Sequence, residues 1–119
     1  MTTTENQENC IFCRIAAGDI KSKKLYDSEL FFIIEDIEPK AKHHYLAIPK
    51  AHYPNLTEMG RENATILGHI LLGIGQFTNL LNLQNGYRLI INQGENGGQT
   101  VNHLHIHILA GQKMDFPGF

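Results

Sequence analysis

Long uninterrupted apolar runs are missing from this chain of 119 residues. The most apolar stretch, from Ile66 to Leu81, is broken by Gly68, His69, Gly73, Gly75 and Gln76, which argues against a membrane span. The first nine residues are polar and hold no apolar segment, so no secretory signal is read there. Cysteine is scarce, only Cys10 and Cys13. Without an export signal a structural disulfide is the weaker reading of that pair, and a cytoplasmic location is expected. Basic residues are not in excess either. Ten Lys and Arg stand against twelve Asp and Glu, and no basic stripe suggests a nucleic-acid footprint. Repeats and low-complexity segments are absent.

The length fits one domain. With 42% hydrophobic residues a real core is available. Met1–Asn9 reads as a flexible polar tail and 10–119 as the folded domain. Ile11 to Ala17 is a short apolar run stopped by Gly18, a helix of about two turns with Gly18 at its C-cap. Leu25-Tyr26 and Leu30–Ile34 are β-prone. From His44 to Ile48 the side chains alternate: His44, Leu46 and Ile48 face one way, Tyr45 and Ala47 the other, and Pro49 closes the strand. Between Thr57 and Asn82 the period becomes helical, predicting a long helix near residues 60–82 that Thr57 or Asn63 caps. Asn85-Gly86 is a turn. Tyr87 to Asn92 and His103 to Leu109 are the last strands, separated by a polar, glycine-rich loop. Strands, a long helix and strands again predict an α+β domain with an antiparallel sheet.

Seven histidines is a high count for this length, and they cluster. In His103-Leu104-His105-Ile106-His107-Ile108, strand geometry sends all three imidazoles to one face and the aliphatic residues to the other. A His-rich strand without a role is the plain alternative, but a merely buried face more often carries aliphatic residues. Immediately before it, Gly94-Glu95-Asn96-Gly97-Gly98-Gln99-Thr100 has adjacent glycines that let backbone N–H groups converge on an anion. Alone that loop means little; beside three imidazoles it suggests a phosphate site. His44 and His52, on and just beyond the middle strand, fit structural and functional roles alike. Cys10-x-x-Cys13 by itself is a redox motif, half of a metal site or simply two thiols.

Taken together, His103-Leu104-His105-Ile106-His107-Ile108-Leu109 resembles the motif of the histidine triad family. Asn92-Gln93-Gly94, Gly97-Gly98-Gln99-Thr100-Val101, Asp36-Ile37 and Leu46-Ala47-Ile48-Pro49-Lys50 resemble further blocks of that family in the same order. The likeness runs from about Cys10 to Pro117, and the ending Leu109–Met114 resembles the Hint branch. The resemblance implies an antiparallel sheet of about five strands with one long and one short helix, joined in a homodimer into a sheet of about ten. It implies hydrolysis of purine nucleoside 5′-phosphoramidates, with His105 attacking the α-phosphorus. Alternatives are a dinucleoside polyphosphate hydrolase, with the same nucleophile and another leaving group, and a non-catalytic nucleotide- or metal-binding module. His107 would contact the phosphate, His44 would assist, and His103 completes the triad. Gly98, Gln99 and Thr100 would hold phosphate oxygens through N–H and hydroxyl donors. Asp36 would accept from the ribose hydroxyls, Ile11, Phe12 and Ile37 would sandwich the base, and Asn92 would steady the ribose–phosphate. For Cys10 and Cys13 the resemblance offers His52 and His103 as partners in a structural zinc site, against two reduced thiols; the chemistry itself needs no metal. A homodimer also accords with apolar residues on more than one face of the long helix. Gly68 and Gly75 would allow close approach to a second backbone, and the strand ending at Asn92 leaves an open edge. Phe116 would then reach the partner's site.

Overall fold

The structure is a computed structural model, and residues 9–115 of it are described. The expected tail, Asn9 apart, and Phe116 lie outside those residues. The elements in chain order are α1 (Ile11–Ala17), β1 (Tyr26–Asp27), β2 (Phe31–Glu35), β3 (His43–Pro49), α2 (Ala64–Gln76), β4 (Tyr87–Ile90) and β5 (Ile106–Ala110). A single turn of 3-10 helix, Arg61–Asn63, leads into α2. The strands form one five-stranded sheet in the order β1-β2-β3-β5-β4, and every neighbouring pair is antiparallel. This is the α+β architecture the sequence predicts. No helix among the described residues is long and apolar enough to cross a membrane.

Helices cover both faces of the sheet, so its central strands are buried on both sides. Phe31, Ile33, Tyr45, Ala47, Ile106 and Ile108 pack towards Ile70 and Ile74 of α2. Phe32, Ile34, Leu46 and Ile48 form a second cluster with Phe12 and Ile15 of α1. The alternation read in β3 is therefore real, with Leu46 and Ile48 on the α1 face. Sandwiching explains why Phe31–Ile34 is an unbroken apolar run, since neither face of β2 meets water.

α1 begins and ends on local chemistry. Cys10 is its N-cap, its Sγ accepting from the Cys13 N–H at 3.3 Å. Gly18 closes it in the left-handed region at φ 86°, and its N–H donates to the Ile15 carbonyl at 3.1 Å. α2 is shorter than its periodicity predicts. The Thr78 hydroxyl donates to the Gly75 carbonyl at 3.2 Å, and the chain leaves the helix through successive turns, with Asn82 at φ 60°. Leu81 and Leu83 are nonetheless buried, so turns reproduce the apolar spacing that reads as helix. Asn63 precedes α2, but its side chain makes no cap bond; its Oδ1 accepts from the Tyr53 hydroxyl at 3.1 Å. Within α2 the glycine of close approach is Gly73, where a Cβ would stand 3.2 Å from the Phe31 ring. A Cβ on Gly68 would meet open space.

Candidate functional site

On the α1 face of the sheet lies a cleft of about 820 Å³. Ile11, Phe12, Asp36, Ile37, His44, Asn92, Gly98, Thr100, His105 and His107 all line it. One sheet register brings the histidines together. His107 pairs with Leu46 and Leu109 with His44, so His44 and His107 are diagonal neighbours on one face. Their facing nitrogens, His44 Nε2 and His107 Nδ1, are 2.9 Å apart. The His105 and His107 ring centroids are 5.1 Å apart. Of the triad only His107 lies within β5; the ladder starts at Ile106, after His103 and His105. Leu104, Ile106 and Ile108 are buried as the alternation predicts.

The surroundings of each ring fix its tautomer. His105 Nδ1–H donates to the His103 carbonyl at 2.7 Å. Its Nε2 has no protein partner among the described residues and keeps a free lone pair at the cleft. The Lys40 main-chain N–H donates to His44 Nδ1 at 2.9 Å, so the neutral His44 carries its proton on Nε2. That Nε2–H points at His107 Nδ1, which places the His107 proton on Nε2. Burial holds the His107 imidazolium back, to a pKa of about 4, helped by the charges His105 and His44 would carry. Burial likewise lowers His44, against the pull of Asp36. Asp36 Oδ2 stands 3.4 Å from His44 Nε2 and 3.9 Å from His107 Nδ1. These three residues could geometrically hold a cation, but the tautomer opposes it. A metal on His44 Nε2 would force a proton onto Nδ1, against the Lys40 N–H.

The glycine-rich loop differs from the expected anion cradle. The N–H groups of Gly97, Gly98 and Gln99 donate to carbonyls within the loop, those of Gly94 and Glu95, at 3.0–3.2 Å. The Gln99 side chain also turns away, donating to the Pro54 carbonyl at 2.7 Å and accepting from the Gly94 N–H at 2.9 Å. Phosphate donors expected from Gly98 and Gln99 are thus spent on folding the loop, and the Thr100 hydroxyl and N–H remain. A Cβ on Gly97 would collide with the Gln93 carbonyl, so the tight loop itself requires that glycine. Sequence reasoning missed Lys40, whose contribution is a main-chain N–H and carries no side-chain signal. It also missed Ile15, Ile34 and Leu109, cleft walls whose apolar character reads only as core.

His103 points away from the cleft. Its Nε2–H donates to the Pro49 carbonyl at 2.8 Å, leaving the Nδ1 lone pair facing Cys10 Sγ at 3.1 Å and His52 Nδ1 at 3.1 Å. Cys13 Sγ is 3.2 Å from His52 Nδ1. The four donor atoms lie within 4.8 Å of one another. Both cysteines are free. Burial, with hydrogen bonding and charge from Cys10, pushes the Cys13 thiol up to about 12. Two sulfurs and two imidazole nitrogens converging on one point fit a tetrahedral dication, which would reverse that shift. The carbonyl bond behind His103 fixes the tautomer such a ligand needs. The cluster adjoins the cleft through Phe12, whose ring meets those of both His103 and His105 edge-on, centroids 5.7 and 5.2 Å apart.

Comparison with known proteins places this geometry among relatives. A family model described as "Scavenger mRNA decapping enzyme C-term binding" matches residues 9–118. Protein HitA of Neisseria gonorrhoeae is 39% identical over 103 residues, spanning 87% of this chain and 96% of that protein. A solved HIT family hydrolase from Clostridium thermocellum superposes with a TM-score of 0.88 at 41% identity, covering 94% of this chain and 98% of its own. A zinc-bound histidine triad family protein from Mycobacterium smegmatis has a TM-score of 0.76 at 32% identity, covering 92% and 79% of the two chains.

Proposed function

The chain belongs to the histidine triad family, and on that premise we propose that it is a hydrolase of purine nucleoside 5′-phosphoramidates acting through a nucleotidyl-histidine on His105. The observation that carries this reading is the state of His105. Its Nδ1–H is committed to the His103 carbonyl, and its Nε2 lone pair is unclaimed at the cleft. Such an imidazole is nucleophilic near neutral pH without a separate base. Its Nε2 bonds to the α-phosphorus as the bond to the departing amine breaks, and the amine takes the proton it needs from water at the open cleft; that proton is returned when water cleaves the nucleotidyl-histidine. The phosphorylated ring gains positive charge, and the His103 carbonyl accepts the more acidic Nδ1–H. Water then cleaves the nucleotidyl-histidine, releasing the nucleoside monophosphate and restoring the imidazole. His107 donates from Nε2–H to a phosphoryl oxygen, Thr100 adds its hydroxyl, and Asn92 steadies the ribose–phosphate. Asp36 receives the ribose hydroxyls, with the base between Ile11, Phe12 and Ile37.

Zinc in the Cys10, Cys13, His52 and His103 cluster would be structural, tying α1 to the segment that carries His105. A homodimer through the β4 edge is supported by the apolar residues left exposed there and on α2, among them Leu72, Tyr87 and Leu89. Hydrolysis of dinucleoside polyphosphates is the second reading, favoured by the cationic residues Lys21 and Lys40 along the cleft. A turnover assay comparing an adenosine phosphoramidate with a dinucleoside polyphosphate separates the two. His105→Asn should keep nucleotide binding and lose at least about 10³ in rate. An acid-labile adduct mapping to any peptide other than Val101–Leu109 would sink the mechanism.

A further inference from the structure

His44 and His107 share one proton between their facing nitrogens, and a carboxylate stands beside them. The Lys40 N–H holds His44 Nδ1 as an acceptor, so His44 Nε2–H must donate. Two acceptors are in range, His107 Nδ1 at 2.9 Å and Asp36 Oδ2 at 3.4 Å. When the proton goes to His107, that ring keeps its own proton on Nε2, at the cleft. A second proton on the pair would leave two N–H groups facing each other across 2.9 Å. Among the described residues only Asp36 Oδ2, within 3.9 Å of both nitrogens, can relieve that by accepting one of them. Asp36 therefore decides between two arrangements of the pair. Its Oδ1 already accepts from the Glu38 N–H at 2.8 Å, which leaves Oδ2 as the less committed oxygen for any ligand.

We propose that Asp36 is a positioning residue that couples ribose occupancy to the tautomer of His107. Ribose hydroxyls donating to Oδ2 withdraw it from the pair. His44 Nε2–H then goes wholly to His107 Nδ1, and His107 is held neutral with its Nε2–H towards the phosphoryl group. An imidazole that accepts at one nitrogen is a stronger donor at the other, so a correctly held sugar improves the phosphate contact. The inference rests on the nucleotide reading of the cleft. The charged and titratable groups facing the pair are Asp36 and Lys40 from the β2–β3 loop and His105 ahead of β5. Lys21, Glu35 and Glu38 line the same cleft.

The test is an NMR titration of ¹³Cε1-labelled histidines in the whole protein, saturated with AMP or with 2′,3′-dideoxy-AMP. Both ligands carry the same phosphate and base. The His44–His107 pair should titrate lower with AMP, by about one pH unit, as expected when a neighbouring carboxylate is masked. In Asp36→Asn the two ligands should give one curve. Coincident titrations in the unaltered protein, with both ligands bound, would overturn the coupling and leave the nucleotide site standing. Failure of AMP to bind at all would overturn the nucleotide reading, and the coupling with it.

Discussion

Phe12 joins the core, the Cys10–Cys13–His52–His103 cluster and the cleft in one side chain, so its replacement tests several parts of the structure together. It is 6% exposed and packs with Ile15, Phe32, Ile34 and Leu46. Burying a Phe side chain is worth about 1.5–3 kcal/mol in transfer alone. Truncation to Ala leaves a cavity under α1 as well, so Phe12→Ala should cost roughly 3–4 kcal/mol. Urea unfolding would read this as a midpoint lowered by about 2 M at an unchanged slope. Phe12→Leu keeps most of the volume and loses the two edge-on contacts with His103 and His105, each worth about 0.5–1.5 kcal/mol. That variant should be destabilised by about half as much or less, while the ring-current shift on the His105 Cε1 proton disappears. A cost below about 1 kcal/mol for Phe12→Ala, with an undisturbed His105 signal, would refute the packing of α1 over the histidines.

Other outcomes follow from the same geometry. His107 takes up its proton near pH 4 in the folded chain and near 6.5 when unfolded, so the unfolded state binds more protons between those values and stability falls as pH drops through that window. Urea midpoints at pH 7 and pH 5 should differ, and His107→Gln should remove on the order of 1 kcal/mol of that difference; an equal or larger pH effect in the variant would contradict the assignment. Protein purified without chelator should release about one zinc per chain to a chromogenic chelator and melt lower afterwards; no zinc, with two freely titratable thiols, would leave the cluster a thiol pair. Light scattering at micromolar concentration should give the mass of a homodimer, and a stable, fully active single chain would refute it.

Much of the fold was legible because it depends on neighbours in sequence. Alternation in His44–Ile48 and in His103–Ile108 assigns side chains to faces wherever the backbone is extended. Gly18 ends α1 because only the adjacent residues must agree on the left-handed turn. Where local pattern has two solutions it misled. Leu80 and Leu81 keep helical spacing, but the chain there is turned, with Leu80 exposed and Leu81 in the core. The glycine-rich loop has the composition of an anion cradle, yet most of its N–H groups close the loop itself.

By itself the sequence determined which chemically capable side chains the chain offers and at what spacing: three histidines at alternate positions, a hydroxyl just before them, an acidic residue after β2, and two thiols one turn apart. Their types and spacings are local, and imidazole, hydroxyl, carboxylate and thiol chemistry follow from type. Residue types and spacings alone leave open how they divide, and the tertiary structure gives the division that the family resemblance implies. It sends His103 to the thiols and His105 to the cleft, sets His44 against His107 through the β3–β5 register, and lets the Lys40 main chain choose their tautomers. Cys10 and His103 are 93 residues apart. Contacts at that separation are selected by the packing of both sheet faces at once, because register and helix placement minimise the exposure of the whole core.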